Sequence, residues 1–261
     1  MAKFMVVGER IHCISPVIRE AFEKRDPEPI LKRAKEQIEA GATYIDLNIG
    51  PAENDGEDLM KWGVKLIQEN FDNIPLALDT ANKAAIEAGI SVYNRDKGKP
   101  IINSADAGDR LSYIDLAAHN DAIVFALCSA GAVPADADER MVFCQQMLEH
   151  GLTLGMEAED LWFDPLFLVA KGMQEQAQHI MNATRMMNEM GLITTGGLSN
   201  ISNGMPKQIR PIVDSFMLAM CMANGLSSII ANPCDQKLME TVKTCDMLLN
   251  NTMYADSYLD L

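Results

Sequence analysis

Long apolar runs and an excess of basic residues are both missing from this sequence. It contains no stretch of about 18 apolar residues, and its first apolar run, residues 4–7, is too short for the core of a signal peptide. Basic residues number 22 against 37 acidic ones, so the formal net charge is −15. Nucleic acids and anionic membranes bind basic surfaces, so neither is expected as a partner. These absences predict a cytoplasmic protein.

Several signatures of metal and nucleophile chemistry are also missing. None of the six cysteines forms a CxxC pair or stands at zinc-ligand spacing from a histidine, so we expect small buried hydrophobes. HExxH and GxSxG do not occur, and no histidine is expected at a strand end, which argues against zinc hydrolysis and triad acyl transfer. No phosphate-binding glycine loop accompanies the aspartates, and few aromatic residues could stack on a sugar. No metal site is predicted.

The chain does contain a unit of about 30 residues that repeats, a short β-branched run followed by a longer helical stretch. The apolar runs are nearly continuous, which is typical of parallel strands buried on both faces. The predicted strands are 4–9, 44–50, 76–80, 101–105, 122–127, 161–165, 193–199 and 227–232. The predicted helices are 29–40, 57–69, 82–88, 111–119, 137–150, 174–190, 211–224 and 235–249.

Glycine, proline and aspartate mark the expected helix ends. Helices are expected to stop at glycines 41, 89, 151, 191 and 225, to start at Pro211, and to be capped by Asp235. Eight alternating units in 261 residues predict one (β/α)8 barrel, a TIM barrel, that spans residues 1–261 as a single domain. A doubly wound open sheet is the alternative, but it usually carries GxGxxG after its first strand, where this chain has Gly8-Glu9-Arg10-Ile11.

Polar residues cluster where the predicted strands end, which in such a barrel is the active-site face. They are Glu9, Arg10, Asp46, Asn48, Asp79, Asn103, Asp106, Asp164 and Asn200. A carboxylate accepts two N–H bonds side by side, and an asparagine both donates and accepts. This chemistry suits an amino-pyrimidinone heterocycle such as a pterin, although a helix cap or a turn explains any single residue equally well.

The order of several short motifs points to a family. They are V-G-E-R-I at 7–11, D-L-N-I-G-P at 46–51, L-D-T at 78–80, I-N-S at 102–104, F-D-P-L at 163–166, G-L-S-N-I-S at 197–202 and A-N-P-C-D at 231–235. With them the chain resembles the methyltetrahydrofolate:corrinoid protein methyltransferases. These pterin-binding barrels are related to the folate domain of cobalamin-dependent methionine synthase and to dihydropteroate synthase. The resemblance runs from Val7 almost to the C-terminus.

The resemblance implies a role for each strand-end residue that matches the family. Asp79, Asn103 and Asp164 would hold the pterin ring by its pyrimidine edge, and Asn200 would lie near N5, the atom that carries the methyl group. Asp46 and Asn48 match positions that line the same cavity. Glu9 matches a residue of the mouth, and the resemblance implies no firm catalytic role for it. Asn200 would donate a hydrogen bond to N5 as the methyl departs, with Asp164 and a water as relay candidates.

The same resemblance implies the reaction and its partners. A methyl group would pass between N5 of tetrahydrofolate and the cobalt of a corrinoid on a separate protein, and the chain would form a homodimer. The DxHxxG signature of cobalamin-binding modules is absent, so a corrinoid protein would dock over the mouth. The loop 204–210 is longer than in the relatives, so roles for Lys207 and Arg210 carry over poorly and stay open.

Two other functions remain as alternatives. Dihydropteroate synthase normally has a lysine and an arginine near the last two strand ends, and the motifs S-N-I-S and A-N-P-C there contain no basic residue. A non-catalytic folate-binding subunit would bind the pterin without transferring a methyl group. The direction of transfer is open, so both acetyl-CoA pathway function and demethylation fit.

Overall fold

The computed structural model describes residues 4–260, which form a ring of parallel strands surrounded by helices. The strands are Met5–His12 (β1), Tyr44–Asn48 (β2), Leu76–Asp79 (β3), Ile101–Asp106 (β4), Ile123–Leu127 (β5), Leu161–Asp164 (β6), Ile193–Thr194 (β7) and Ser228–Ala231 (β8). They pair in the order β7-β6-β5-β4-β3-β2-β1-β8. A parallel bridge between Gly197, which follows β7, and Ile230 of β8 links the two ends of this order. The predicted (β/α)8 barrel is therefore confirmed, in a nearly closed form.

Within residues 4–260 the ring carries nine α-helices. They are Pro16–Lys24 (α1), Pro27–Glu39 (α2), Gly56–Asn70 (α3), Lys83–Ser91 (α4), Ser112–His119 (α5), Ala137–Thr153 (α6), Gln174–Glu189 (α7), Arg210–Ala223 (α8) and Gln236–Leu248 (α9). The first helix was not predicted; it begins with a proline, as helices often do. Asp235 caps α9 as predicted, because its side chain accepts the N–H groups of Lys237 and Leu238. No helix in this part of the chain is long and apolar enough to cross a membrane.

Two of the glycines expected to end helices lie inside them instead. Gly89 is part of α4 and Gly151 is part of α6, so both predicted ends are wrong. A Cβ at Gly89 would lie 2.5 Å from the Met60 side chain, and one at Gly151 would lie 3.0 Å from Leu161. These glycines allow close packing rather than a left-handed turn. Glycines 41, 191 and 225 follow their helices with φ of 98°, 77° and 92°, as predicted.

The inside of the barrel is filled by apolar side chains from all eight strands. Buried residues at its centre are Val7, Ala77, Ile101, Ile123, Phe125 and Trp162, with Met5, Tyr44, Ile193 and Ile230 packed against them. Such a core is solid rather than a pore. A ligand that enters the barrel from the end where the strands stop therefore binds above this core.

β1 and β7 end three or more residues away from their predicted ends, and both differences affect the upper rim. β1 continues past a register shift between Gly8 and Ile11 and ends at His12. The expectation that no strand ends in a histidine is therefore wrong. β7 has only two residues, and a 3-10 turn, Leu198–Asn200, follows it. The short strand leaves Asn200 on a turn above the barrel instead of at the end of a ladder.

Candidate functional site

Polar side chains that face inward lie above the apolar core of the barrel, and we call them the polar mouth. The polar mouth consists of Glu9, His12, Asp46, Asn48, Asp79, Asn103 and Asp164. Register pairing runs from His12 to Asn48, from Asn48 to Asp79 and from Asp79 to Asn103. Pairing in register places the side chains of His12, Asn48, Asp79 and Asn103 next to one another on adjacent strands. The fold thus brings together predicted residues that lie 31 and 57 positions apart along the chain.

Two asparagine amides in the polar mouth are fixed by carboxylates. Asn48 Nδ2 donates a short hydrogen bond to Asp79 Oδ2, and Asn103 Nδ2 donates to Asp46 Oδ1 at 3.0 Å. The N–H of Gly50 donates to Asn48 Oδ1 at 3.0 Å, which defines how the Asn48 amide is turned. Oriented amides next to carboxylates form a preorganised set of donors and acceptors for a heterocycle.

Asp46 and Asp79 behave as a buried pair of carboxyl groups. Burial raises the pKa of Asp46 well above its ordinary value, and the neighbouring Asp79 raises it further. Burial also raises the pKa of Asp79, whereas hydrogen bonds from Asn48 and from Asp46 lower it. Two like charges this close cannot both ionise readily, so the two carboxyl groups titrate as a pair with raised pKa values. The polar mouth thus contains a buried carboxyl pair that spans β2 and β3.

Asp164 ends β6 and is almost fully enclosed, with 7% of its surface exposed. Its Oδ1 accepts the N–H groups of Leu166 at 2.8 Å and Phe167 at 3.3 Å. Burial raises the pKa of Asp164 to about 7, although backbone hydrogen bonds and the charge of Arg140 oppose the rise. The carboxyl group can therefore exchange a proton near neutral pH.

The turn that carries Asn200 is held on both sides by carboxyl groups of the polar mouth. The N–H of Gly197 hydrogen bonds to Asp164, and Ser199 Oγ donates to Glu9 Oε1 at 2.6 Å. Asn200 itself is exposed. A Cβ at Gly197 would lie 3.0 Å from Asn200 Nδ2, so the glycine leaves room for the amide. Ser199 and Gly197 belong to the site although the sequence singled out neither one; only their place beside Asn200 could have indicated them.

Glu9 accepts a hydrogen bond from Ser199 of this turn, and burial raises its pKa from 4.5 to about 6 despite that bond. A carboxyl with a raised pKa in the folded state binds its proton more tightly there than in the unfolded chain. Its contribution to stability is present below the unfolded pKa and is lost as the pH rises through the folded one.

The stability that Glu9 loses as the pH rises should not be lost in the variant Glu9→Gln, whose amide keeps the oxygen that accepts from Ser199. The free energy of unfolding of the wild type should fall relative to the variant by about 1–2 kcal/mol between pH 4 and pH 7.5. Urea unfolding at a series of pH values measures the difference, in which the other carboxyl groups cancel. A difference that is constant with pH would contradict the raised pKa.

A buried arginine that the sequence did not single out holds the chain segment next to Asp164. Arg140 of α6 is fully buried. Its Nε donates to the carbonyl oxygen of Pro165 at 2.6 Å, Nη1 to that of Asp136 at 2.9 Å, and Nη2 to Gln176 Oε1 at 2.7 Å. The guanidinium thus ties together the loops that follow β5 and β6 with the start of α7.

Arg140→Met is expected to destabilise the protein by about 3 kcal/mol, because three oxygens lose their donors and the contacts to Pro165 and Gln176 are buried. Urea unfolding followed by circular dichroism measures the change. Arg185→Met is the matched control, since that side chain is 57% exposed on α7 and should cost less than about 0.5 kcal/mol. If the two variants were equally stable, the contacts of Arg140 would not stabilise the protein.

Asp106 and Arg10 were named with the strand ends but do not belong to the polar mouth. Asp106 accepts N–H bonds from Gly108 and Arg110 of its own loop, and Arg110 Nε lies 2.9 Å from it. Arg10 points outward, where its Nη1 lies 2.6 Å from Glu36 and 3.0 Å from Cys234 Sγ. Cys234 is exposed, unlike the buried thiols expected, whereas Cys128, Cys144 and Cys221 are buried.

Basic residues reach the last two strand ends from elsewhere in the chain. Arg10 contacts Cys234 after β8, and Arg210 Nε donates to Ser202 Oγ at 3.1 Å after β7. Ser202 in turn donates to Asp214 at 2.9 Å. The absence of basic residues from the two motifs therefore does not mean that these ends lack positive charge. Lys207 is exposed on the loop before α8.

Known proteins are similar to this chain over most of its length. The family described as "Pterin binding enzyme" matches residues 16–232. A methylcorrinoid:tetrahydrofolate methyltransferase of Eubacterium limosum is 24% identical, with 97% of this chain and 94% of that protein covered. The methionine synthase of Mycobacterium tuberculosis is 28% identical over 88% of this chain, which spans only 20% of that protein.

The fold has solved counterparts as well. The crystal structure of 7,8-dihydropteroate synthase from Vibrio fischeri superposes with a TM-score of 0.74 and 17% identity, covering 96% of this chain and 94% of that one. At that identity the likeness concerns the fold alone. The curated relatives are methyltransferases, so the predicted family and the predicted class of enzyme, a methyltransferase, are confirmed.

Proposed function

We propose, on the premise that the chain belongs to the family of pterin-binding enzymes, that it transfers a methyl group between N5 of tetrahydrofolate and the cobalt of a corrinoid protein. The observation that carries the proposal is the match along nearly the whole chain to the Eubacterium limosum methylcorrinoid:tetrahydrofolate methyltransferase. The barrel fold alone would serve a dihydropteroate synthase equally well. The polar mouth then has to bind the folate and assist the reaction.

Asp79, Asn103 and Asp164 would hold the pterin by its pyrimidine edge. That edge carries an amino group and a ring N–H beside a carbonyl oxygen. A carboxylate accepts the two N–H groups side by side, and an asparagine amide matches an adjacent donor and acceptor. The amides are already oriented by the Asp46 and Asp79 carboxyl groups, so little reorganisation accompanies binding.

Asp46, Asn48 and Glu9 would line the same cavity without holding the edge directly. Asn48 and Asp46 act on Asp79 and Asn103 through hydrogen bonds. Glu9 acts on the turn of Asn200 through Ser199. Groups that orient the contacting residues keep the site within the narrow geometry that transfer requires.

The chemistry at N5 needs a donor, because an amine anion is a poor leaving group. The N5–C bond breaks as the carbon–cobalt bond forms with the electron pair of cob(I)alamin. The electron pair of the broken N5–C bond stays on N5, where it binds a proton to give N5–H. Asn200 is a neutral amide, so it donates a hydrogen bond that strengthens in the transition state. Glu9, whose pKa is about 6, accepts the Ser199 hydrogen bond of this turn and can supply the proton through water. Asp164, whose pKa is about 7, is ionised when it binds the pterin, so it can relay a proton but is not its source.

The second substrate would arrive on a partner. A corrinoid protein would dock over the strand ends with its cobalt near N5, and this chain would act as a homodimer. One site serves both directions, and the methylated substrate that is supplied sets the direction.

Anaerobic spectroscopy with purified protein, 5-methyltetrahydrofolate and cob(I)alamin tests the proposal. Loss of the cob(I)alamin absorption and appearance of methylcobalamin is the expected result. Binding of the folate without transfer would instead indicate a folate-binding subunit. Formation of dihydropteroate from a pterin pyrophosphate and 4-aminobenzoate would indicate a synthase, for which Arg10 and Arg210 near the last strand ends offer positive charge.

A further inference from the structure

His12 ends β1 in the polar mouth, and the proposed reaction assigns it no role. Its Nδ1 atom is buried and has no hydrogen-bond partner among residues 4–260, while the residue as a whole is partly exposed. Buried polar atoms in folded proteins are nearly always paired. An unpaired one at the edge of a binding site marks a position where a bound molecule can complete the hydrogen bond.

Strand register directs this side chain into the barrel. Ile11 pairs with Leu47, and both belong to the outer core under the helices. His12 pairs with Asn48, whose amide reaches Asp79 inside the polar mouth. Side chains alternate between the two faces of a strand, so His12 faces the barrel axis as Asn48 does.

The position of β1 in the ring indicates which part of a folate His12 meets. Asp79, Asn103 and Asp164 stand on β3, β4 and β6, the half of the ring that contains β5. β1 stands opposite β5 in the order of eight strands. A pterin held by its pyrimidine edge from that half directs its far end, with the substituent at C6, toward β1. Asn200, after β7, then lies at the side of the ring, where N5 is.

The surroundings of His12 favour its neutral form. Burial lowers the pKa of His12, and Arg33 lowers it further. The Arg33 guanidinium is held next to the end of β1 by the carbonyl oxygen of Arg10 at 3.1 Å and by Ser15 Oγ at 3.3 Å. A neutral imidazole has one nitrogen that donates and one that accepts.

We propose that His12 binds the linker of the folate, with Nδ1 accepting the N10–H group between the pterin and the benzoyl ring. This inference rests on the proposed function, since it requires a folate in the polar mouth. It adds a residue that distinguishes a complete folate from a pterin that ends at C6.

Calorimetry with two ligands tests this role. 5-Methyltetrahydrofolate contains the linker, and 5,6-dimethyltetrahydropterin ends at C6. His12→Phe keeps a planar ring without nitrogen and should weaken folate binding about tenfold, the value of one hydrogen bond, without changing pterin binding. His12→Asn places an amide atom near the Nδ1 position and should restore affinity to within about threefold, whereas His12→Gln, which places it near Nε2, should not.

His119→Ala is the matched control, because that histidine is exposed on α5. Thermal unfolding verifies that each variant is folded. An equal loss for both ligands in His12→Phe would place the contact on the ring and overturn the proposal, and so would unchanged folate binding. If the wild-type protein binds neither ligand, the proposed function itself fails, so the two failures are distinguishable.

Discussion

Replacing Asn200 with alanine is expected to slow methyl transfer by about 100- to 1000-fold, the cost of removing one preorganised donor from a reacting atom. The folate dissociation constant should rise by less than about tenfold, because the donor is needed most when charge develops on N5. The exposed position of Asn200 on its turn means that the fold loses little. Stopped-flow spectroscopy of cob(I)alamin gives the rate, and calorimetry gives the affinity.

Asn203→Ala provides the control for this variant. Asn203 is exposed on the same loop and lies three residues further along the chain, so its loss should change the rate by less than about twofold. Equal rates for Asn200→Ala and wild type would remove the assigned role. An equal loss of rate in both variants would point to the shape of the loop rather than to the amide.

Replacing Asp164 with asparagine is expected to weaken folate binding by about 100-fold, since two charge-assisted hydrogen bonds are lost. The oxygen of the new amide must accept the N–H groups of Leu166 and Phe167, as Oδ1 does now. Its NH₂ group then faces the N–H donors of the pterin, and two donors cannot form a hydrogen bond with each other. The free protein should stay folded because the backbone contacts persist.

The pH dependence of this variant provides a second readout. Burial raises the pKa of Asp164 to about 7, and the carboxyl accepts two N–H groups only when ionised. Wild-type affinity should therefore fall as the pH drops through about 7, and the affinity of Asp164→Asn should lack that step. Calorimetry between pH 5.5 and pH 8.5 measures both profiles, and a step that persists in the variant would assign the titration to another group.

Asp106→Asn is the matched control. Asp106 also ends a strand, but its carboxylate accepts hydrogen bonds from Gly108 and Arg110 of its own loop. Folate affinity should stay within about threefold of wild type. Asp106→Asn and Asp164→Asn could instead weaken folate binding equally. An aspartate outside the polar mouth would then affect the affinity as much as Asp164 does, and the assignment of Asp164 to the pyrimidine edge would be wrong.

The sequence by itself was sufficient for the architecture and for most of the candidate site. Continuous apolar runs of strand length, alternating with helical stretches, lead to parallel strands and hence to the barrel. Once the barrel is inferred, the ends of its strands are known to meet. Polar residues such as Asp46, Asp79 and Asp164 could therefore be placed together although they are far apart in the chain.

The tertiary structure decided what depends on packing and register. Gly89 and Gly151 look like helix ends, but close helix packing requires them inside α4 and α6. A shift of register in β1 carries His12 to the rim, and one-residue changes in register reverse the face of every side chain. Local patterns contain no information on either effect.

The polar strand ends show the same division. Their residue types are local, so the sequence determined that a mouth rich in carboxylates and amides stands at the top of a barrel. Which groups have raised pKa values was decided only by distance and burial: Asp46 next to Asp79, Glu9 next to Ser199, and Asp164 under the turn of Asn200. Desolvation and Coulomb interactions depend on three-dimensional neighbours, and these neighbours come together only when the ring of strands closes.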